Sequence, residues 1–121
     1  MPIPDYQVFM LPMLRLLEDG RERTTREVTA GLADHFSLTE QEREERLPSG
    51  KQSVVNNRAG WAKSYLKFAG LIDNPIRGKV RITDAGRAVL AEGPSSIDLQ
   101  FLKRFPSFCD FYSRSASEDG E

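Results

Sequence analysis

From Val54 to Ala69 the apolar residues return every three or four positions, and past Gly70 they return every second position. No other feature of this chain restricts its fold as much. At about 100° per residue, Val55, Ala59, Ala62, Leu66 and Ala69 share one side of a helix over about Ser53 to Ala69. Val54, Trp61, Tyr65 and Phe68 widen that side. The other side carries Gln52, Ser53, Asn56, Asn57, Gly60, Lys63, Ser64 and Lys67, with no carboxylate among them. Amides, hydroxyls and lysines are the groups that hydrogen-bond base edges and phosphates. Leu71–Asp73 and Lys79–Thr83 then read as two short strands joined through the turn residues Asn74-Pro75 and Arg77-Gly78. In the second strand Val80 and Ile82 face one way, Lys79 and Arg81 the other.

The segments on either side complete the order. Tyr6 to Glu18 predicts a first helix, apolar nearly all round and therefore well buried, with Pro12 inside it and Asp19-Gly20 closing it. Thr24 and Glu27 have the spacing of a capping box, which predicts a second helix from about Thr25 to Phe36 with Val28, Leu32 and Phe36 as its stripe. Thr39 and Glu42 repeat the signal ahead of a short charged helix running to about Leu47, and Pro48-Ser49-Gly50 breaks the chain. Beyond the strands, Thr83 caps a helix over about 84–92, and Ser96 is expected to cap another over about 97–104. The fold class is therefore mainly α with a small β-hairpin. Its order is that of a winged helix-turn-helix, in which the helix over 53–69 is the recognition helix and residues 71–83 are the wing.

The chain has 121 residues, enough for one domain, which we place at 1–112; Ser113 to Glu121 reads as a disordered tail or linker. Met1 to Asp5 lacks the basic and apolar stretches of a secretion signal. Cys109 is the single cysteine and cannot form an internal disulfide, so a cytoplasmic setting is expected. A net charge of −1 conceals a segregated pattern. Residues 1–50 carry 6 basic and 10 acidic side chains, residues 51–87 carry 8 and 2, and residues 88–121 carry 3 and 6. A basic block between acidic flanks suits a polyanionic partner. A solvated charged face without a partner is the plainer alternative.

Several blocks resemble the N-terminal domain of Mrr restriction-system proteins. They are Pro4-Asp5-Tyr6-Gln7 with Met10-Leu11-Pro12, Leu38-Thr39-Glu40-Gln41-Glu42, Leu47-Pro48-Ser49-Gly50-Lys51, and Asn57-Arg58-Ala59-Gly60-Trp61-Ala62 through Leu66. Ala69-Gly70-Leu71-Ile72, and Arg77-Gly78 with Ile82-Thr83 and Gly86, complete the set. The likeness runs from residue 4 to about 112 and is most specific between Asn57 and Ile72. It implies a winged-helix DNA-binding domain that, in the family, precedes a PD-(D/E)xK nuclease domain cleaving modified, typically methylated, DNA. The resemblance leaves open a longer protein with a nuclease after Glu121 and a relative without one.

This chain carries no nuclease signature of its own. The five lysines are preceded at the second position by Ser49, Trp61, Tyr65, Arg77 and Phe101, so no carboxylate stands where a metal-bound phosphate would need it. Ser49-Gly50-Lys51-Gln52 departs from a phosphate loop, with Glu45 in place of the first glycine and Gln52 in place of the hydroxyl residue. It reads better as the entry to the recognition helix, with Lys51 near a phosphate. His35 is expected on a helix surface and Cys109 among apolar neighbours; no metal or cofactor is called for. Trp61 lies beside the apolar side, where packing is the simpler role than stacking on a flipped or modified base. Arg58 suits an ion pair with Glu27 or Asp34 of the second helix, or else a phosphate.

The expected activity is thus binding of double-stranded DNA without catalysis. Gln52, Ser53, Asn56 and Asn57 would reach base edges, and Lys51, Lys63, Lys67, Arg77, Lys79 and Arg81 would hold phosphates. The alternative is a winged-helix protein-interaction module. Phe101, Leu102, Phe105, Phe108, Phe111 and Tyr112 are too apolar for a free tail and should pack on the first helix or on a second copy, which leaves a homodimer open.

Overall fold

The computed structural model describes residues 5–110. Helix α1 spans Tyr6–Leu16, and the Asp5 side chain caps it by accepting from the Gln7 amide at 2.8 Å. Pro12 sits within α1 without ending it. The carbonyl it deprives of a donor belongs to Val8, which is exposed, so water can serve it. Phe9, Met10, Met13, Leu14 and Leu17 are buried, and α1 packs chiefly on α4 and α2.

Strand β1, Arg23–Thr24, leads straight into α2, Thr25–His35. The capping box is complete: Thr24 Oγ1 accepts from the Glu27 amide at 3.0 Å, and Glu27 Oε1 accepts from the Thr24 amide at 2.9 Å. Thr39 and Glu42 close the same box on α3, Glu40–Glu44. Helix α3 is shorter than its charge pattern predicts. Residues 45–47 leave it to pair with 52–54: the Val54 amide donates to Glu45 O at 2.8 Å and the Leu47 amide to Gln52 O at 3.0 Å. Pro48-Ser49-Gly50 is therefore the tip of a small hairpin-like loop.

Helix α4, Val54–Phe68, is capped by Ser53, whose Oγ accepts from the Asn56 amide at 3.1 Å. Val55, Ala59, Ala62 and Leu66 are all buried, as their spacing predicts. Gly70, at φ 84°, ends the helix; the Leu71 amide returns to Leu66 O at 3.0 Å and starts the strands. Strands β2, Ile72–Asp73, and β3, Lys79–Ile82, pair antiparallel, with Ile72 opposite Ile82 and Asp73 opposite Arg81. The sheet has a third strand that the sequence pattern does not announce. Strand β1 pairs with the other edge of β3, Arg23 opposite Val80, giving the order β1-β3-β2.

Helix α5, Asp84–Ala91, is capped by Thr83, whose hydroxyl also donates to Gly70 O at 2.6 Å. Gly86 lies so close to the Leu71 carbonyl and the Ile82 side chain that a Cβ there would collide with backbone. Helix α6 is only Leu99–Leu102, and its cap is Asp98 rather than Ser96, because Asp98 Oδ1 accepts from the Phe101 amide at 2.8 Å. Residues 106–110 are again helical. This segment closes over the chain's own core. Ile97, Leu102 and Phe108 are buried, the Leu99 amide donates to Gln7 Oε1 at 3.0 Å, and Ser107 Oγ donates to Phe68 O at 2.7 Å. Phe108 meets Tyr65 edge-on, with ring centroids 5.8 Å apart. Phe111, Tyr112 and the proposed tail 113–121 lie outside the described residues.

Candidate nucleic-acid interface

The outward side of α4 faces a groove whose other wall is α2. The groove encloses about 640 Å³. Thr25, Arg26 and Thr29 line it from α2, Arg43 from the end of α3, and Gln52, Ser53, Asn56, Gly60 and Lys63 from α4 and its entry. Four of the residues singled out in the sequence, Gln52, Ser53, Asn56 and Lys63, are thus brought together. Ser53 spends its hydroxyl on the helix cap, whereas Gln52 and Asn56 are exposed. Asn57 sits on the flank of α4, where its Nδ2 donates to Gln52 Oε1 at 3.5 Å. There Gln52, Asn57, Gly60, Trp61, Lys63 and Ser64 border a second, shallower hollow of about 360 Å³.

The remaining cations lie around this groove rather than in it. Lys51 is exposed on the loop before α4, and Lys67 is exposed in the last turn of α4. Arg77 is exposed at the turn of the wing. That turn is tied to the start of α2, because the Thr25 amide donates to Gly78 O at 3.2 Å, and Thr25 itself lines the groove. Lys79, opposite Thr24 in the sheet, adds to the field at the same point. Glu27 is held below the usual carboxylate range first by the Thr24 amide, and in smaller part by Arg23 and Lys79. Arg81 is in a different position. It faces Asp73 across the hairpin with Nε and Oδ1 3.4 Å apart, so a carboxylate already offsets its charge.

The sequence pattern missed two cations of the groove. Arg26 is exposed on α2 and, among the described residues, has no carboxylate partner. Arg43 is anchored: Nη2 donates to Asp34 Oδ1 at 3.0 Å and Nε to Leu38 O at 2.9 Å. The pair with Arg43 occupies Asp34, one of the two partners expected for Arg58; Arg58 itself is half-buried on α4. Trp61 departs from its expected packing role. It stands at the rim of the apolar side of α4, 50% exposed, with its ring stacked 6.0 Å from Tyr65 of the same helix. Cys109 is only partly buried, and its Sγ donates to Lys103 O at 2.8 Å. His35 is on the surface, as expected. Among the described residues no group of three His, Cys, Asp or Glu side chains is arranged to hold a metal ion, and no helix is long and apolar enough to cross a membrane.

Helices α1 to α6 around a small three-stranded antiparallel sheet, with the amphipathic helix α4 leading directly into the β2–β3 hairpin, define a mainly α, winged-helix-like protein. The chain belongs to the family described as the Mrr N-terminal domain, which residues 6–92 match. It is also similar to a protein of Escherichia coli (strain K12) named "Type IV methyl-directed restriction enzyme EcoKMrr". The two are 39% identical over 101 residues, covering 83% of this chain and 33% of that protein. The chain thus spans about a third of the length of the relative it matches. No solved structure matches it.

Proposed function

We propose that this chain is the DNA-recognition module of a restriction system directed at modified, methylated DNA, working in the cytoplasm as a binder and not as a nuclease. The family membership and the name of the E. coli relative support the restriction setting. The observation that carries duplex binding is the groove between α2 and α4. It collects amides and cations on the outer side of a helix that buries Val55, Ala59, Ala62 and Leu66 on its inner side. In this reading α4 enters the major groove. Gln52, Asn56 and Asn57 address base edges; Arg26, Lys51, Lys63, Lys67, Arg77 and Lys79 address phosphates. Ser53 contributes mainly by setting the start of the helix, and Arg81 acts as part of a pair with Asp73. The nuclease that such a system needs belongs to a further domain or partner.

The test is fluorescence anisotropy with random and methylated duplexes across a salt series. Lys63→Ala and Lys79→Ala should each weaken binding on any sequence and lower the salt slope by about one. Asn56→Ala should leave random-duplex binding nearly unchanged and cost ~1–3 kcal/mol of discrimination between duplexes. If the parent chain shows no salt-dependent binding to any duplex, the protein-interaction reading replaces this one. Incubation with plasmid and Mg²⁺ or Mn²⁺ should leave the DNA intact; cleavage abolished by a carboxylate substitution would establish an active site in the chain.

A further inference from the structure

Among the described residues three glycines lie inside helices, and at two of them a Cβ would crowd the chain's own packing. A Cβ at Gly31 would come within 3.0 Å of Leu16 Cδ1, where α2 crosses α1. A Cβ at Gly86 would meet the Leu71 carbonyl and Ile82. Gly60 is different. It sits in the second turn of the fifteen-residue helix α4, and a Cβ there would meet nothing within 4 Å. Glycine in a helix interior gives up more backbone freedom than alanine and supports the helix less. Among the described residues no neighbour accounts for a glycine at this position. Yet Gly60 borders both hollows of the outer face, between Asn56 and Asn57 on one side and Lys63 and Ser64 on the other.

We infer that Gly60 is a clearance for duplex DNA: the point where the α4 backbone and the nucleic acid approach most closely, closed to any side chain. This rests on the duplex-binding reading above. The missing side chain lets the helix sit deeper, so that the short amides at Asn56 and Asn57 reach base edges while Lys63, one turn on, stays at a phosphate. Stability and affinity should then move in opposite directions, which a structural role would not produce.

The experiment uses the whole chain with Gly60→Ala, Gly60→Ser and Gly60→Leu, read by thermal melting and by anisotropy on a random duplex. Gly60→Ala should raise Tm by about 2–5 °C, since alanine relieves the helix and meets no neighbour. The same variant should bind the duplex about tenfold more weakly, the usual scale of one methyl forced into a fitted contact. Gly60→Ser should weaken binding at least as much, and Gly60→Leu more than either. A better-folded Gly60→Ala that binds within about twofold of the parent overturns the inference while leaving duplex binding intact. A parent chain that binds no duplex removes the duplex-binding reading and this one together, and that is read before any variant is made.

Discussion

The two sides of α4 are built on opposite terms. Inward, Val55, Ala59, Ala62 and Leu66 are sealed against α1 and α2, and the small residues let the helices come close. Outward, Asn56 and Lys67 are exposed, Gln52 is exposed and touched by Asn57, no described neighbour lies within 4 Å of a Cβ at Gly60, and half of Trp61 is uncovered. Water satisfies polar groups at no cost to the fold, so nothing internal selects amides and lysines for that side. The contrast separates residues that the packing of the fold accounts for from residues that it does not. It can be attacked by measuring every variant twice, once for stability and once for binding.

The largest effect is expected on the inner side. Leu66→Ala removes a fully buried side chain and should cost ~2–5 kcal/mol in a denaturant titration. Below that lies Gly86→Ala, which drives a methyl into the Leu71 carbonyl and should destabilise by ~1–3 kcal/mol. An unchanged midpoint there would show that α5 can shift away from the sheet, and the close approach would lose its meaning. A third variant, Arg26→Ala, changes the outer face only. Its melting temperature should match the parent, while the slope of log affinity against log salt should fall by about one. A loss of stability with unaltered binding would move Arg26 to the other side of the comparison.

The smallest effect comes from acid. Glu27 and Glu42 are held below the usual carboxylate range first by the amides of Thr24 and Thr39, and Glu92 first by its bond to Arg104. Carboxylates whose folded values are lowered contribute stability that is fully present above the ordinary carboxylate range. That stability is lost as the pH falls through the lowered values. All three are at the surface, so the loss should be shallow. Glu27→Gln should flatten the acid limb of a pH–stability profile, since it removes the carboxylate that the Thr24 amide holds low. An acid limb of unchanged steepness would show that the cap contributes nothing measurable.

Local chemistry made much of this legible in advance. The capping boxes at Thr24 and Thr39, the spacing along α4 and the alternation in β3 involve residues within a few positions of one another, so their signals survive in one dimension. Strand β1 was not legible, because two residues carry no alternation and their partner lies far along the chain. The charged run after Thr39 read as too long a helix, because the pairing of 45–47 with 52–54 competes for the same backbone groups. Ser96 and Asp98 both suit a cap, and only the geometry of the entering chain chose Asp98.

The candidate site divides along the same line. Sequence alone determined that one helix would be apolar on one side and amide- and lysine-bearing on the other, and that a basic hairpin would follow it, because helical and strand periods assign sides without reference to anything else. Tertiary structure decided which groups share a groove. The packing of α2 against α4 brought Arg26 and Arg43 to Asn56 and Lys63, and strand register set Asp73 against Arg81. It also left half of Trp61 exposed. Charge and exposure depend on what lies opposite in space, and a period along the chain carries no information about that.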